Sequence, residues 1–391
     1  MRKQIAEAKF ALMLGRVRAK QAWLVTGSAF CLAVLALVVT LLLAACGEPG
    51  GESTLSTTAA GEASTSTSSP ATSALPSSTA VTMPPAGGKL DKIVLVAPAG
   101  PMAIPLAYLV VNDRLAEVAE EVELAIWENA DQLKARVASG QGDFITMPSN
   151  NAAIFYNKGL KLKLLNIAVW NITYLVTRNP QVDSFADIRG QSLAVSLKGS
   201  VPDVMFQFLA KKEGLDPARD FALRYVSDPP QASQLLLAGE VDNAVLSEAL
   251  ATAVVLQSKN QEQPLRKAFA FDQAWAKATS GQEDTPIAGT VVTEALMSRS
   301  DVIAVFEREY QAALNWMLAN PEAAGKLVET ELPQLGLKAA VMTAAMKGIT
   351  WKYRSAAEAR PHLEQFYTHL AELSPQVIGG KLPDDGFYFV R

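Results

Sequence analysis

The sequence predicts an α/β protein of two similar lobes with a ligand cleft between them, and three observations lead to this prediction. Strand-like and helix-like segments alternate from residue 92 to residue 257, which is typical of mainly parallel sheets flanked by helices. Residues 92–100 and 137–147 correspond in layout to residues 191–199 and 236–246, 99 positions further along. The stretch 89–391 is also long for one compact core. Clefts between lobes are where small ligands bind.

Glycine and aspartate mark the repeat because they fall between equivalent elements, as Gly140 and Asp143 in the first unit and Gly239 and Asp242 in the second. In the first unit strands and helices are predicted in alternation at 92–97, 104–118, 122–127, 130–139, 144–147 and 152–157, followed by strands at 162–168 and 174–178. In the second unit the same alternation is predicted at 192–196, 202–212, 222–226, 231–238, 243–246 and 249–257.

The chain turns helical after residue 292, with helices predicted at 302–320, 338–348 and 356–373. These helices have no strand partners, so we expect them to pack on the first lobe. The first lobe is predicted to span 89–178 and to be completed by 291–391, while the second spans 179–290. The chain then crosses between lobes near 171–179 and 284–292, and two crossings permit hinge closure around a ligand.

The N-terminus has the pattern of an export signal. Basic residues precede an apolar run over 22–45, which ends in Leu43-Ala44-Ala45-Cys46. This resembles the bacterial lipoprotein signal, so 1–45 is predicted to be a signal peptide and Cys46 to receive lipid. The alternative is a transmembrane anchor, because about 20 apolar residues can span a bilayer. Both interpretations place the rest of the chain outside the cytoplasm, at the cell membrane.

Residues 46–88 contain the lipidated cysteine and a stretch rich in Ser, Thr, Ala, Gly and Pro. Such a composition buries little apolar surface, so we predict a disordered tether. The whole chain carries a net charge of −4, and its N-terminal segment is basic. The remainder is therefore still more acidic, which argues against nucleic acid as a partner.

Several kinds of chemistry lack the residues they need. Of the two cysteines, Cys31 lies inside the apolar run and Cys46 ends it, so no disulfide, thiolate metal site or cysteine nucleophile is expected. The two histidines, His362 and His369, fall seven residues apart on a predicted helix, where we expect a surface face. Neither a metal site nor a cofactor is predicted, and no nucleophile has a histidine base.

The candidate ligand-binding residues lie in four turns that lead into helices. They are Pro98, Gly100, Pro101, Met102, Ser149 and Asn150 in the first lobe, and Lys198, Gly199, Ser200, Ser247 and Glu248 in the second. Helix N-termini present free N–H groups and partial positive charge, which favour anions and polar ligand atoms. The alternative is ordinary helix capping, for which serine and asparagine are suited whatever the function.

Two aromatic residues, Trp170 and Tyr174, lie near the first predicted crossing. They are candidates for stacking on a flat ligand. The alternative is packing in the core or at the hinge.

Five segments carry a family resemblance: Ala186-Asp-Ile-Arg-Gly-Gln-Ser-Leu-Ala-Val195, Gly214-Leu-Asp-Pro217, Tyr225-Val226, the stretch 237–248, and the stretch 379–388. Together they resemble solute-binding proteins of ABC importers, in the nitrate/sulfonate/taurine group that also includes binders of thiamine precursors. The resemblance covers about residues 89–391. It departs from the family pattern at Glu248-Ala249, where Glu-Pro is usual.

The resemblance implies a two-lobed periplasmic-binding-protein fold of type II and delivery of a small ligand to a membrane permease driven by an ATPase. We expect a monomer without catalytic activity. Four helix starts and Lys198 favour a small anion or zwitterion such as a sulfonate, whereas Glu248 in the cleft would suit a pyrimidine related to thiamine precursors. An enzyme on the same fold and a sensor domain that presents ligand to a receptor are the other interpretations.

Overall fold

The computed structural model describes residues 87–281, 284–333, 336 and 338–390. The predicted signal peptide, the lipidated Cys46 and the tether up to residue 86 lie outside the described residues. The predicted fold class is confirmed, because two sheets flanked by helices make up the described chain. Within these residues no helix combines the length and the apolar content that crossing a membrane requires.

The first sheet has six strands in the order β11-β4-β10-β3-β1-β2. They are β1 (Leu90–Pro98), β2 (Ala119–Trp127), β3 (Phe144–Pro148), β4 (Leu162–Asn171), β10 (Ala288–Thr293) and β11 (Thr350–Ser355). The second sheet has five strands in the order β7-β6-β8-β5-β9. They are β5 (Thr173–Thr177), β6 (Ser192–Ser196), β7 (Ala222–Val226), β8 (Asn243–Ser247) and β9 (Arg266–Ala270).

The described α-helices alternate with the strands as far as β9 and then dominate the C-terminal third. They are α1 (Ile104–Val111), α2 (Ala130–Ser139), α3 (Ser149–Asn157), α4 (Val201–Lys212), α5 (Pro229–Ala238), α6 (Glu248–Ser258), α7 (Phe271–Ala278), α8 (Ser300–Ala319), α9 (Pro321–Glu331), α10 (Ala339–Gly348) and α11 (Ala356–Leu373).

The repeat extends to individual hydrogen bonds. Asn129 caps α2 by accepting a hydrogen bond from the backbone N–H of Gln132, and Asp228 caps α5 by accepting one from that of Gln231. Both helices also end in a left-handed glycine, Gly140 and Gly239, at their C-caps. Equivalent sequence positions therefore start and stop equivalent helices.

The two repeated aspartates have the same structural role. Asp143 accepts a hydrogen bond at 2.7 Å from the backbone N–H of Val94, and Asp242 accepts one at 3.0 Å from that of Ser192. Each carboxylate thus ties the entry of a unit's third strand to its first strand. These aspartates stabilise the sheets, and they lie at the opposite ends of the strands from the predicted ligand turns.

The sheets are mixed rather than mainly parallel as predicted. Repeat strands pair in parallel, β1 with β2 and β3, and β6 with β7 and β8. The strands β5 and β10 are antiparallel to their neighbours. The cause is the path of the chain. Strands β5 and β10 begin where the chain enters from the other sheet, beside the carboxyl ends of β8 and β3, and therefore run in the opposite direction to them.

The crossings set the division between the sheets. The strand Thr173–Thr177 was predicted as the end of the first lobe, yet it pairs with β8 and β9 in the second sheet. The strand Ala288–Thr293 pairs with β3 and β4 in the first sheet, although the second lobe was predicted to reach residue 290. The chain therefore leaves the first sheet at Ile172 and returns to it just before Ala288.

Some elements differ from the sequence prediction. The strands β9, β10 and β11 and the helices α7 and α9 were not predicted. Helix α1 ends at Val111 rather than near residue 118, because the following turn includes Asp113 with a positive φ of 49°. Helix α3 begins at Ser149, three residues before the predicted start.

The C-terminal helices contact both halves of the chain instead of the first lobe alone. Helices α8 and α9 contact α1, as expected, but α10 contacts α6, and α11 contacts both β4 and α4. Ring contacts Phe208–Trp275 and Trp275–Phe366 join α4, α7 and α11 within one core. The reason is that the stripe of buried residues on α11 faces a core which both sheets share.

Candidate functional site

The predicted ligand turns lie at the edges where the two sheets meet. Pro148 at the end of β3 pairs with Ala288, and Ser247 at the end of β8 pairs with Thr173. Both partners are the first residues of strands that begin at a crossing. Because β1 is parallel to β3 and β6 is parallel to β8, their carboxyl ends lie at the same two edges.

Two helix starts bind the crossing segments themselves. The backbone N–H of Ser149, the first residue of α3, donates to the carbonyl of Ile287 at 2.8 Å. The backbone N–H of Glu248, the first residue of α6, donates to the carbonyl of Ile172 at 2.7 Å. Each crossing is therefore held by a helix N-terminus, whose partial positive charge favours a carbonyl oxygen.

Ordinary capping does not account for the serines and the asparagine in these turns. Neither Ser200 before α4 nor Ser247 before α6 caps its helix through its side chain. The Ser200 hydroxyl donates to the carbonyl of Ser196 at 3.3 Å. The first turns of α4 and α6 thus lack the side-chain acceptor that Asn129 gives to α2.

The polar groups of Ser149 and Asn150 form hydrogen bonds within the protein. The Ser149 hydroxyl donates to the carbonyl of Pro286 at 2.6 Å, and the Ser149 carbonyl accepts from the Tyr367 hydroxyl at 2.7 Å. The Asn150 amide donates to the carbonyl of Val377 at 3.2 Å. Both residues are buried, so their polar groups fasten α3 to the second crossing and to the C-terminal segment.

Trp170 packs inside the protein near the first crossing. Its side chain is fully buried, and its indole N–H donates to the carbonyl of Lys352 at 2.6 Å. The Arg354 guanidinium lies 4.6 Å from the ring centroid, which is a favourable cation–π distance. A ligand would have to displace these contacts before it stacked on Trp170.

The histidines do not lie on a surface face. His362 meets the Trp170 ring edge-on, and His369 lies 5.1 Å from Phe208, centroid to centroid. Both histidines are half-buried, and burial lowers the pKa of His362. The prediction that both histidines lie on a surface face was wrong. Helix α11 is covered on both sides of its buried stripe, by β4 and by α4.

Tyr174 and Glu248 belong to one cluster at the first crossing, in which Glu248 is fully buried and Tyr174 is half-buried. The Lys267 ammonium donates to Glu248 Oε1, and it also lies 4.8 Å from the centroid of the Tyr174 ring. Thr252 donates its hydroxyl to the same carboxylate oxygen. Burial raises the pKa of Glu248, although the hydrogen bonds from Lys267 and Thr252 oppose this shift. Burial and the nearby Glu248 carboxylate raise the pKa of Tyr174.

This cluster contacts the end of α10 directly. The Tyr174 hydroxyl donates to the carbonyl of Gly348. A methyl group added at Gly348 would lie 2.2 Å from the carboxylate carbon of Glu248, so the Glu248 side chain in its present position leaves room only for glycine here. The contact joins a helix of the C-terminal segment to the start of α6 beside the second sheet.

The loop between β6 and α4 carries Lys198 and Gly199, and both are exposed. The Lys198 ammonium lies 5.2 Å from the centroid of the Tyr225 ring. The backbone N–H of Gly199 donates to Asp203 Oδ2 at 2.7 Å, and the Tyr225 hydroxyl donates to Asp203 Oδ1 at 3.0 Å. The Asp203 carboxylate thereby holds the backbone of the loop, while the Lys198 side chain is exposed to solvent.

Asp203 is a site residue that the sequence did not single out. Its side chain is fully buried, and it also accepts a hydrogen bond from the Gln207 amide at 3.0 Å. Burial and the Asp203 carboxylate raise the pKa of Tyr225. The available signal was an acidic residue in the first turn of a helix, a position that usually indicates only helix stabilisation.

The loop after β1 forms the corresponding feature of the first sheet. Pro98, Gly100 and Pro101 are buried, and Gly100 has a positive φ of 135°. Met102 is half-buried against an apolar cluster that includes Ile349 and the crossing residue Ile287. This loop presents backbone and apolar surface, whereas the loop after β6 presents a cation.

The described residues contain no group of three or more His, Cys, Asp or Glu side chains arranged to hold a metal ion. Of the candidate residues, the structure places Tyr174 and Glu248 in one cluster and Lys198, Gly199 and Ser200 in one loop. It uses Ser149, Asn150 and Trp170 for internal contacts. Lys267, Asp203 and Gly348 complete these arrangements.

Solved structures of the same fold come from several organisms. An ABC transporter protein from Parabacteroides distasonis is 22% identical, with a TM-score of 0.64, and the match covers 77% of this chain and 99% of that one. The periplasmic aliphatic sulphonate binding protein SsuA from Escherichia coli is 14% identical, with a TM-score of 0.61 and coverage of 77% and 92%. The periplasmic nitrate-binding protein NrtA from Synechocystis PCC 6803 is 14% identical, with a TM-score of 0.53 and coverage of 74% and 84%.

A comparison with curated proteins finds no match. The family model described as NMT1/THI5 like matches residues 118–324, which is more than half of the chain and includes both crossings. This match and the shared fold confirm the resemblance inferred from the sequence. The chain belongs to the NMT1/THI5-like family.

Proposed function

We propose that this protein is an extracytoplasmic solute-binding protein that captures a small anionic or zwitterionic solute and delivers it to an ABC transporter permease. The observation that carries the proposal is the pair of repeated α/β units joined by two crossings, with helix starts and loops gathered at the edges where the units meet. Proteins of this fold include one named for aliphatic sulphonates and one named for nitrate. Aliphatic sulphonates and nitrate are both small anions.

The charges around the first crossing support an anion. Lys198 is an exposed cation on a loop whose backbone is held by the buried Asp203 carboxylate. The carboxylate of Glu248 is paired with Lys267 inside the protein. Its negative charge is therefore balanced without a ligand, and a cationic ligand is not required to balance it.

The proposal is tested by a ligand screen that follows thermal unfolding of the protein. Taurine, an alkanesulfonate, nitrate and a thiamine-precursor pyrimidine form the panel. A specific ligand at 100 times its Kd should add about 2.7 kcal/mol to the free energy of unfolding. Stabilisation by the pyrimidine alone would replace the anion proposal with the pyrimidine alternative, and turnover of a bound compound would indicate an enzyme.

Lys198→Ala should weaken binding of an anionic ligand at least tenfold, because a hydrogen bond to a charged group contributes about 1.5–3 kcal/mol. Lys198→Arg is the matched control and should retain most of the affinity. Glu248→Gln should change affinity less than Lys198→Ala, because Glu248 already has Lys267 as a partner. Titration calorimetry measures all three. A large loss for Glu248→Gln with none for Lys198→Ala would favour a cationic or pyrimidine ligand.

We further propose that lipid on Cys46 anchors the protein to the outer face of the cell membrane. The support is the small residues that precede this cysteine at the end of the apolar run. Cys46→Ala should abolish incorporation of labelled fatty acid and leave an uncleaved precursor. Labelling that persists in the variant would contradict the anchor, whereas Cys31→Ala should be labelled normally.

Gly348→Ala should destabilise the arrangement of α10 against α6, because the added methyl group occupies space held by the Glu248 carboxylate. The expected loss in the free energy of unfolding is about 1–3 kcal/mol, as for other overpacked sites. Urea unfolding measures it. The loss should shrink when Gly348→Ala is combined with Glu248→Ala, which makes room. A Gly348→Ala variant as stable as the parent protein would contradict this prediction and show that the Glu248 carboxylate moves aside at little cost.

A further inference from the structure

One large apolar residue has an unusual backbone conformation. Leu197 directly follows β6 and has a positive φ of 55°. The other non-glycine residues with positive φ in the described chain are Asp113 and Ser280, which are small and polar. A left-handed conformation is unfavourable for a residue with a Cβ atom. Asparagine or glycine would adopt it more readily.

The surrounding hydrogen bonds enforce this conformation. The backbone N–H of Leu197 donates to the carbonyl of Val226 at 2.9 Å, and its carbonyl accepts from the N–H of Ser200 at 2.8 Å. Two residues further on, the N–H of Gly199 is bound by the buried Asp203 carboxylate. Strain of this kind persists where neighbouring structure over-determines it, and it concentrates at ligand clamps and active sites.

The side chain of Leu197 gains little from the fold. It is 49% exposed, and it belongs to none of the core clusters formed by the described residues. Burial therefore does not explain why a leucine occupies a position that favours smaller residues. Leu197 instead extends the row of exposed residues that continues with Lys198 and Gly199.

Leu197 lies near the junction of the two sheets. It lies at the carboxyl end of β6, on the same edge as Ser247, because β6 and β8 are parallel. Ser247 pairs with Thr173, where the chain enters the second sheet. An apolar side chain and an ammonium group are thus adjacent in sequence at the edge where we place the ligand.

We propose that Leu197 is a specificity-determining residue that contacts the hydrocarbon part of an amphiphilic organic anion, while Lys198 holds the charged group. This inference rests on the proposed function and narrows it, because an inorganic anion has no apolar part for Leu197 to contact. The strained backbone then serves to hold an apolar side chain beside the cation.

The test is a series of straight-chain alkanesulfonates of increasing length, titrated into the protein by calorimetry. In the parent protein the affinity should rise about two- to fourfold for each added methylene, since complete burial of a methylene corresponds to the upper value. In Leu197→Asn, which tolerates the left-handed backbone, this increase should largely disappear. Leu197→Gly should behave in the same way and should be at least as stable as the parent protein, because it removes the strain.

Leu256→Asn is the matched control, because Leu256 is 44% exposed on α6 and has no part in the loop. Its chain-length dependence should equal that of the parent protein. Affinity that does not change with chain length in the parent protein, or an unchanged increase in Leu197→Asn, would overturn the role of Leu197 but leave the anion proposal intact. If no sulfonate binds to the parent protein, the sulfonate form of the proposed function and this inference are both rejected.

Discussion

The junction of the two sheets depends on two backbone hydrogen bonds at the crossings. The first N–H of α3 binds the carbonyl of Ile287, and the first N–H of α6 binds that of Ile172. Helix N-termini carry partial positive charge, so each is well suited to a carbonyl from the segment that joins the sheets. Because each bond connects a helix of one unit to a crossing, both sheets present their strand ends and loops at a common junction.

The charged side chains around this junction are of two kinds: some are paired with each other, and one is exposed to solvent. Glu248 and Lys267 balance each other beside Tyr174, and they are covered by the end of α10 at Gly348. The loop with Lys198 is braced by a buried carboxylate but leaves its ammonium exposed. A fully buried carboxylate such as that of Glu248 is costly to leave without its charged partner, whereas an exposed cation can exchange solvent for a ligand. This difference is the physical basis for assigning ligand recognition to the loop.

The C-terminal segment makes the two units one folded body. Helix α10 contacts α6, helix α11 contacts α4, and the rings of Phe208, Trp275 and Phe366 form a continuous apolar connection. Movement of one unit relative to the other must therefore disturb specific side chains at α10 and α11. Gly348 is one such contact, because a Cβ atom at this position would lie within 2.3 Å of the Glu248 carboxylate.

The sequence by itself determined the α/β class, the repeat and the positions of the loops. These follow from local pattern, since Asn129 and Asp228 start equivalent helices and Gly140 and Gly239 end them through interactions within a few residues. Only the tertiary structure decided the antiparallel strands, the partners of Ser149 and Trp170, and the pairing of Glu248 with Lys267. Each of these depends on residues far apart in the chain, which no local pattern specifies. The strain at Leu197 could not be predicted from the sequence either. Hydrogen bonds with Val226 and Ser200 impose this backbone dihedral, and a leucine at this position gives no indication of it.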